Sequence, residues 1–368
     1  MRIAFLTIAS GMFVPIRANF FSSRGHRVYY FGVLPPLKDS KPVGGNFEYI
    51  EIKPVANIPY IRQLSTAIKV MRLTRRLRVD ILHIIDMVFC LCAPFAKSGR
   101  VVIEHNGSDV LINPHRQKIL KLLYRFCYRF IDAVIQNSRA TQNAGRRYGA
   151  PASHNEIISL GVDLNVFNPN IERGSARARL RLADSDRIVF SPRNLTDLYN
   201  IDTIIHAASM VKKKIPNVRF VFVGYALDKQ EYFEAMARGE NLEQTFYFVG
   251  QLDRKTELPR FYRDADVVVS VPSSDSFSAC VAEAMACGTP VIVSDLPWFK
   301  GHFRAGLDLL AVPARDSQAL ADVVVKVLQK EKTLDTDRIS KNVAEKYGVD
   351  GENSKLMSLY RHLLRDHA

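Results

Sequence analysis

The stretch Pro272 to Asp295, PSSDSFSACVAEAMACGTPVIVSD, decides the reading of this chain. An apolar run, residues 267–271, stops at Val271, and small polar residues follow. A helix reads from 278 to 287; Gly288 ends it and Pro290 opens another apolar strand. The amides of Ser278, Ala279 and Cys280 find no acceptor inside such a helix, so its start is a phosphate site that needs no metal. Asp275 stands just before that start and Glu283 lies on the helix, eight positions on. Two acids so placed can grip hydroxyls at opposite ends of one extended ligand. With 37 Asp and Glu in 368 residues, however, several such pairs arise by chance, so the surrounding string carries the signal.

Outward from this stretch the same rhythm repeats. Apolar runs at 3–8, 28–31, 81–85, 101–103 and 133–136 alternate with helical or loop segments, and so do runs at 188–190, 219–223, 246–248, 267–271, 291–293 and 309–312. Strands alternating with helices imply crossover connections and parallel sheets. A chain of 368 residues exceeds one ordinary core. The aperiodic GVDLNVFNP near 161–169 marks the division. The expected architecture is α/β with two Rossmann-like doubly wound domains facing a cleft: a basic acceptor-binding domain over 1–165 and a donor-binding domain over 166–350. A C-terminal helix over 351–368 would return toward the first. Ligands in such sheets sit beyond the carboxyl ends of the strands.

Composition excludes several classes. The chain is 47% hydrophobic and 24% charged, neither disordered nor fibrous. The most apolar candidate span, 79–96, is broken by Asp80, His83 and Asp86. Five cysteines, an odd number, with no His/Cys cluster at zinc spacing, point to a reduced compartment and no metal. The apolar start reads as a buried strand rather than an export signal. The net charge of +14 is lopsided: residues 1–167 hold 23 Lys and Arg against 10 Asp and Glu, and the remainder is nearly neutral. A basic half fits an anionic surface or a phosphorylated ligand. In residues 117–132, Lys118, Lys121, Arg125 and Arg129 share one narrow arc of a helix, and Ile119, Leu122, Leu123, Phe126 and Phe130 occupy the other side. That is either a core-packed helix with a solvated basic face or one that meets anionic headgroups. No DNA- or RNA-reading motif accompanies the charge, so no nucleic acid is expected.

FSACVAEAMACGTPVIVSD resembles, position by position, the donor-site motif of retaining family 4 glycosyltransferases of the GT-B fold (glycosyltransferases group 1), with Phe277, Glu283, Ala284, Met285, Ala286, Gly288, Pro290 and Val291 in place. The likeness runs on through RGHRVYYFG (24–32), RLRVDILHIID (76–86), EHNGSDV (104–110), ISLGVDLNVFNP (158–169), SPRNLTDLYNIDTIIHAASMV (191–211) and IPNVRFVFVGYAL (215–227). The resemblance implies a metal-independent transfer of sugar from a nucleotide-diphosphate donor to a lipid-linked or saccharide acceptor. The setting would be cell-envelope polysaccharide or glycolipid synthesis, with the protein cytoplasmic and peripheral on the inner membrane face. Arg193 and the amides of Ser278, Ala279 and Cys280 would stabilise the departing diphosphate. Glu283 would hold the ribose, Asp275 would orient the sugar, and Phe277, Tyr199, Gly11 and Gly250 would complete the donor site, with backbone around Gly250 meeting the base. His105, ending a first-domain strand, would reach a sugar hydroxyl across the cleft; His83 reads as structural.

Four departures bear on the donor more than on the fold. Tyr199-Asn200 replaces the usual Lys-Gly, Asp275 replaces Glu, Ser276 and Ser278 replace loop glycines, and Pro297-Trp298 replaces Gly-Gly. Asp264-Ala265-Asp266 has the form of a divalent-metal site in another glycosyltransferase fold, but it reads here as a helix-to-strand turn. A nucleotide-sugar 2-epimerase of the same fold and a catalytically weak nucleotide-sugar-binding protein remain as alternatives.

Overall fold

The computed structural model describes residues 1–7, 13–33, 46–53, 59–224 and 229–365. The chain forms two compact units, Met1–Leu160 with Asp350–Ala368, and Gly161–Val349. The division falls at 160/161, ahead of residue 165, because Val162 and Phe167 are buried in the core of the second unit. Gly161 adopts φ +76°, and a Cβ there would come within 2.6 Å of the Val349 backbone, so only glycine fits where the two connecting segments pass side by side.

In the first unit seven parallel strands are β1 (Arg2–Thr7), β2 (Arg27–Gly32), β3 (Phe47–Glu51), β4 (Ile81–Ile85), β5 (Arg100–Glu104), β6 (Ala133–Gln136) and β7 (Asn155–Ile157), in the order β3-β2-β1-β4-β5-β6-β7. The second unit holds β8 (Arg187–Ser191), β9 (Val218–Phe222), β10 (Phe246–Phe248), β11 (Val267–Ser270), β12 (Val291–Ser294) and β13 (Leu310–Val312), in the order β10-β9-β8-β11-β12-β13. Central strands such as VVVS of β11 and VIVS of β12 are buried throughout, as sheets covered on both faces require. β3 and β7 were not expected. β3 is an edge strand whose FEYIE leaves most side chains partly exposed, and β7 is only three residues long. The strand order reverses between β1 and β4 in one unit and between β8 and β11 in the other, which marks the ligand-binding end of each sheet.

Residues 117–132 form a helix, Ile119–Cys127, continued by a 3-10 turn, Tyr128–Phe130. Its inward positions are taken by Tyr124, Cys127 and Tyr128, whereas Ile119, Leu122, Phe126 and Phe130 are exposed. Of the two readings of this segment, the one that packs these four residues into the core is thereby corrected. The two tyrosines hold the inner face because their hydroxyls find partners there, on the Asp109 carbonyl (3.1 Å) and on His105 Nε2 (2.9 Å).

A buried polar chain fastens the last helix, Val349–Arg365, to the first unit. Arg17 pairs with Glu104, His83 Nε2 lies 3.2 Å from the same carboxylate, and His83 Nδ1 lies 2.6 Å from the Tyr360 hydroxyl. Burial lowers the pKa of His83, so the neutral ring donates to Glu104 and accepts from Tyr360. Burial also works against the Glu104 charge, but Arg17 and His83 outweigh it and hold the carboxyl at about 2, below its ordinary 4.5. Glu104→Gln strands the Arg17 charge in the interior and should cost the first unit about 3–5 kcal/mol, read as a lower urea midpoint. The Arg17→Met/Glu104→Leu pair should recover most of it. Because the folded pKa is depressed, the stabilisation is complete above about pH 4.5 and should fade as pH falls toward 2; melts across that range check the sign.

Candidate functional site

At the reversal of the second sheet, one guanidinium ties two strand ends together. Arg193 lies two residues past β8 and donates from Nε to Ser270 Oγ, the last residue of β11, at 2.7 Å. Its Nη2 bonds both Asp275 and the Ser278 hydroxyl. The Tyr199 ring packs against the guanidinium carbon at 4.8 Å. Burial opposes the charge of Arg193, Asp275 more than offsets this, and the net pKa is raised, so the cation is permanent. The other Asp275 oxygen accepts from the Ser276 amide at 2.9 Å.

Ser278 is the residue before the helix Ala279–Ala286. Its hydroxyl caps no amide of its own helix; it accepts from Arg193 and lies 3.4 Å from the Cys280 thiol. The first helical bonds run from Val281 and Ala282 to the Ser278 carbonyl, both at 3.1 Å, which leaves the amides of Ala279 and Cys280 without an acceptor inside the helix. Fixed cation, unspent amides and the positive helix end therefore meet at one point, which suits a diphosphate. The Asn200 that replaces glycine takes the left-handed conformation at φ 50°, tolerable for Asn. It repays this by donating to the Val271 carbonyl at 2.8 Å and accepting from Ser273 at 2.9 Å, which binds the β8 loop to the β11 loop. Arg193, Asp275, Ser278, Ala279, Cys280 and Tyr199 are thus brought together.

Glu283, read from the resemblance as the ribose ligand, is buried. It is 1% exposed, with one oxygen paired to Arg254 and the other accepting from the Tyr262 hydroxyl at 3.2 Å. Burial raises its pKa against the pull of these partners. Phe277 also turns inward. Its ring lies 5.3 Å from His302 and 5.5 Å from Tyr347, in an aromatic cluster with Trp298 and Phe303. The ring is buried among these aromatics, 4% exposed. Gly250 follows β10 at φ +67° with open space beside it, so backbone there is accessible. Gly11 lies outside the described residues.

In the first unit His105 is closed in. Nδ1 lies 2.9 Å from Gln136, Nε2 2.9 Å from the Tyr128 hydroxyl, and a Cβ on Gly145 would reach within 2.9 Å of the ring. Burial lowers its pKa to about 4. With both nitrogens engaged it positions its neighbours and presents nothing to a sugar hydroxyl. An acidic pair, Asp86 and Asp109, was overlooked. Asp86 immediately follows β4, at the reversal of the first sheet, with a left-handed φ of 89°. Asp109 accepts from the Gly107 amide at 2.8 Å and the Val110 amide at 3.1 Å. Burial raises both pKa values, and for Asp86 the neighbouring Asp109 raises it further. The sequence signal was an acid directly after the apolar run ILHII.

Asp264 spends its oxygens on the amides of Gly174, Ala176 and Arg177, and Asp266 accepts from the Ile188 amide and faces Arg177 and Arg187. Among the described residues no group of three or more His, Cys, Asp or Glu is placed to hold a metal. Lys118, Arg125 and Arg129 are exposed and Lys121 is half-buried.

Two Rossmann-like parallel-sheet units define a GT-B architecture, and solved structures share it. Sucrose-phosphate synthase of Thermosynechococcus elongatus superposes with a TM-score of 0.85 over 100% of both chains at 20% identity. HepE of Anabaena, solved in complex with UDP-glucose, gives 0.76 over 97% of this chain and 98% of that one at 18% identity. The family model Glycosyltransferase Family 4 matches residues 18–166, and Glycosyl transferases group 1 matches 172–346. The chain belongs to this glycosyltransferase family. The D-inositol 3-phosphate glycosyltransferase of Mycobacteroides abscessus is 28% identical over 227 residues, which is 60% of this chain and 49% of that protein. The chain spans about half the length of such curated relatives.

Removing the cation beside Glu283 tests the electrostatics directly. Arg254→Met leaves a buried carboxylate short of its counter-charge and should destabilise the second unit by about 3–5 kcal/mol at neutral pH. Since the folded pKa of Glu283 is already raised, protonation relieves the variant at low pH and the penalty returns as pH rises. The gap in melting temperature from wild type should therefore be wider near pH 8 than near pH 5.

Proposed function

We propose that this protein is a retaining glycosyltransferase that moves a sugar from a nucleoside diphosphate sugar to a hydroxyl of a lipid-linked or saccharide acceptor. The observation that carries the reading is the Arg193 bridge between the ends of β8 and β11, beside the start of the helix Ala279–Ala286. As the bond between sugar and diphosphate breaks, negative charge accumulates on the leaving group. A permanent guanidinium and preorganised amides stabilise that charge without reorganising. The UDP-glucose complex of HepE supports a UDP-linked donor.

Glu283 takes the ribose hydroxyls by exchanging its bonds to Arg254 and Tyr262 for bonds to nucleotide, and Asp275 orients both Arg193 and the transferred sugar. Asp86, at the corresponding place in the first sheet, takes the acceptor hydroxyl. The basic first half favours an acceptor at the anionic inner face of the cytoplasmic membrane, in cell-envelope polysaccharide or glycolipid synthesis. The relatives compared are glycosyltransferases and lend the epimerase alternative no support.

Two measurements test this. Glu283→Gln keeps shape but loses charge-assisted bonds worth about 1.5–3 kcal/mol each, so kcat/KM for a UDP-sugar should fall about a hundredfold or more, while the melting temperature shows the protein still folded. Unchanged turnover would remove Glu283 from the site. Activity should also survive EDTA, since Arg193 and the helix-end amides do the work of a cation. Loss on chelation, restored by Mg²⁺ or Mn²⁺, would reopen the Asp264/Asp266 reading.

A further inference from the structure

The helix Ile119–Cys127 and its 3-10 extension have three sectors, and only one of them is buried. At about 100° per residue, Tyr124, Cys127 and Tyr128 lie on the inward side, Lys118, Arg125 and Arg129 lie along one flank, and Ile119, Leu122, Phe126 and Phe130 form a ridge next to those cations. The ridge residues are 59%, 65%, 47% and 42% exposed, and the two phenyl rings lie edge to face at 5.3 Å. Single exposed apolar residues are ordinary, but four on one line are not. The 3-10 segment Met87–Phe95 packs against this helix and also against the helix Pro59–Arg76. It contributes the exposed Phe95, and the other helix contributes exposed Ile61 and Leu64 beside exposed Arg62.

We propose that this face inserts into an anionic phospholipid bilayer, with Ile119, Leu122, Phe126 and Phe130 entering the boundary between headgroups and acyl chains while Lys118, Arg125 and Arg129 meet lipid phosphates. This deepens the membrane-face part of the functional reading and rests on it, but not on the transfer chemistry. Charge selects the occupant. A second copy would bring another strongly basic surface against this one, whereas anionic headgroups neutralise the flank as the ridge leaves water. Among the described residues no helix is long and apolar enough to cross a membrane, so the contact is interfacial. The tyrosine hydroxyls bonded to Asp109 and His105 fix the roll of the helix and keep the ridge outward.

The experiment compares wild type with Leu122→Ser/Phe126→Ser by sedimentation with mixed phosphatidylcholine–phosphatidylglycerol vesicles. Both side chains are exposed, so the variant should keep its melting temperature as well as its net charge. Its vesicle affinity should nevertheless fall at least tenfold. Phe126→Trp should show a blue-shifted emission on vesicle addition and be quenched by brominated acyl chains. If the double variant binds as well as wild type, or the new tryptophan stays in water, insertion is overturned and docking by charge alone remains. If wild type ignores the vesicles, the membrane part of the functional reading falls with it, and turnover of a soluble donor is unaffected. A concentration-dependent dimer of wild type that the double variant abolishes would overturn the lipid assignment in favour of a second copy.

Discussion

Arg193 sits where the second sheet reverses direction, and a charge held there has to be satisfied from both sides of the reversal. Ser270 at the end of β11, Asp275 in the following loop and Ser278 at the helix start all bond to it. A half-buried guanidinium deprived of any of these partners carries a desolvation cost that the loop must then meet. The arrangement therefore fixes the β8 and β11 loops relative to each other, and Asn200, farther along the β8 loop, repeats the tie through Val271 and Ser273. Serine fits at 278, where the motif it resembles has glycine, because the hydroxyl is a ligand of Arg193 and the backbone has an ordinary negative φ of −80°. Tyr199 in the lysine position supplies no cation; it backs the one that is present.

The first unit meets a similar constraint with different residues. Arg17 and Glu104 are among its most deeply buried groups, and His83 and Tyr360 extend the chain of contacts to the C-terminal helix. Phe21 stacks on Tyr360 at 5.5 Å, and Arg100 donates to the Leu363 carbonyl at 2.9 Å. The last helix is thus held by specific polar bonds as well as by Leu356, Leu359 and Leu363. The polar groups that hold it include ones 193, 263 and 277 positions away in the sequence.

Much of the fold was legible because a parallel sheet covered on both faces writes its strands as unbroken Val- and Ile-rich runs, of which β11 and β12 are plain cases. The helix start after β11 was legible for a similar reason: small residues, then a periodic run, then Gly288 and Pro290. What escaped were features settled by partners distant in sequence. Nothing near Glu283 announces that Arg254, 29 positions earlier, pairs with it. Phe277 matches a motif position yet packs into a cluster whose other members come from 298–303 and 347. His105 looked available because a strand end is where ligands bind, but Tyr128 and Gln136 claim both nitrogens. Residues 119–130 show the limit of periodicity. The pattern separates cations from apolar residues, but it cannot say which of two apolar sectors is covered, and here the tyrosines won.

The account turns on a diphosphate held at the reversal of the second sheet, and a crystal structure of the protein with UDP, grown in the presence of EDTA, tests that most directly. The account predicts the diphosphate against Arg193 and the amides of Ala279 and Cys280, with the ribose hydroxyls on Glu283 and Arg254 displaced from it. UDP bound elsewhere, or bound here only with a metal ion between Asp264, Asp266 and the phosphates, would contradict it.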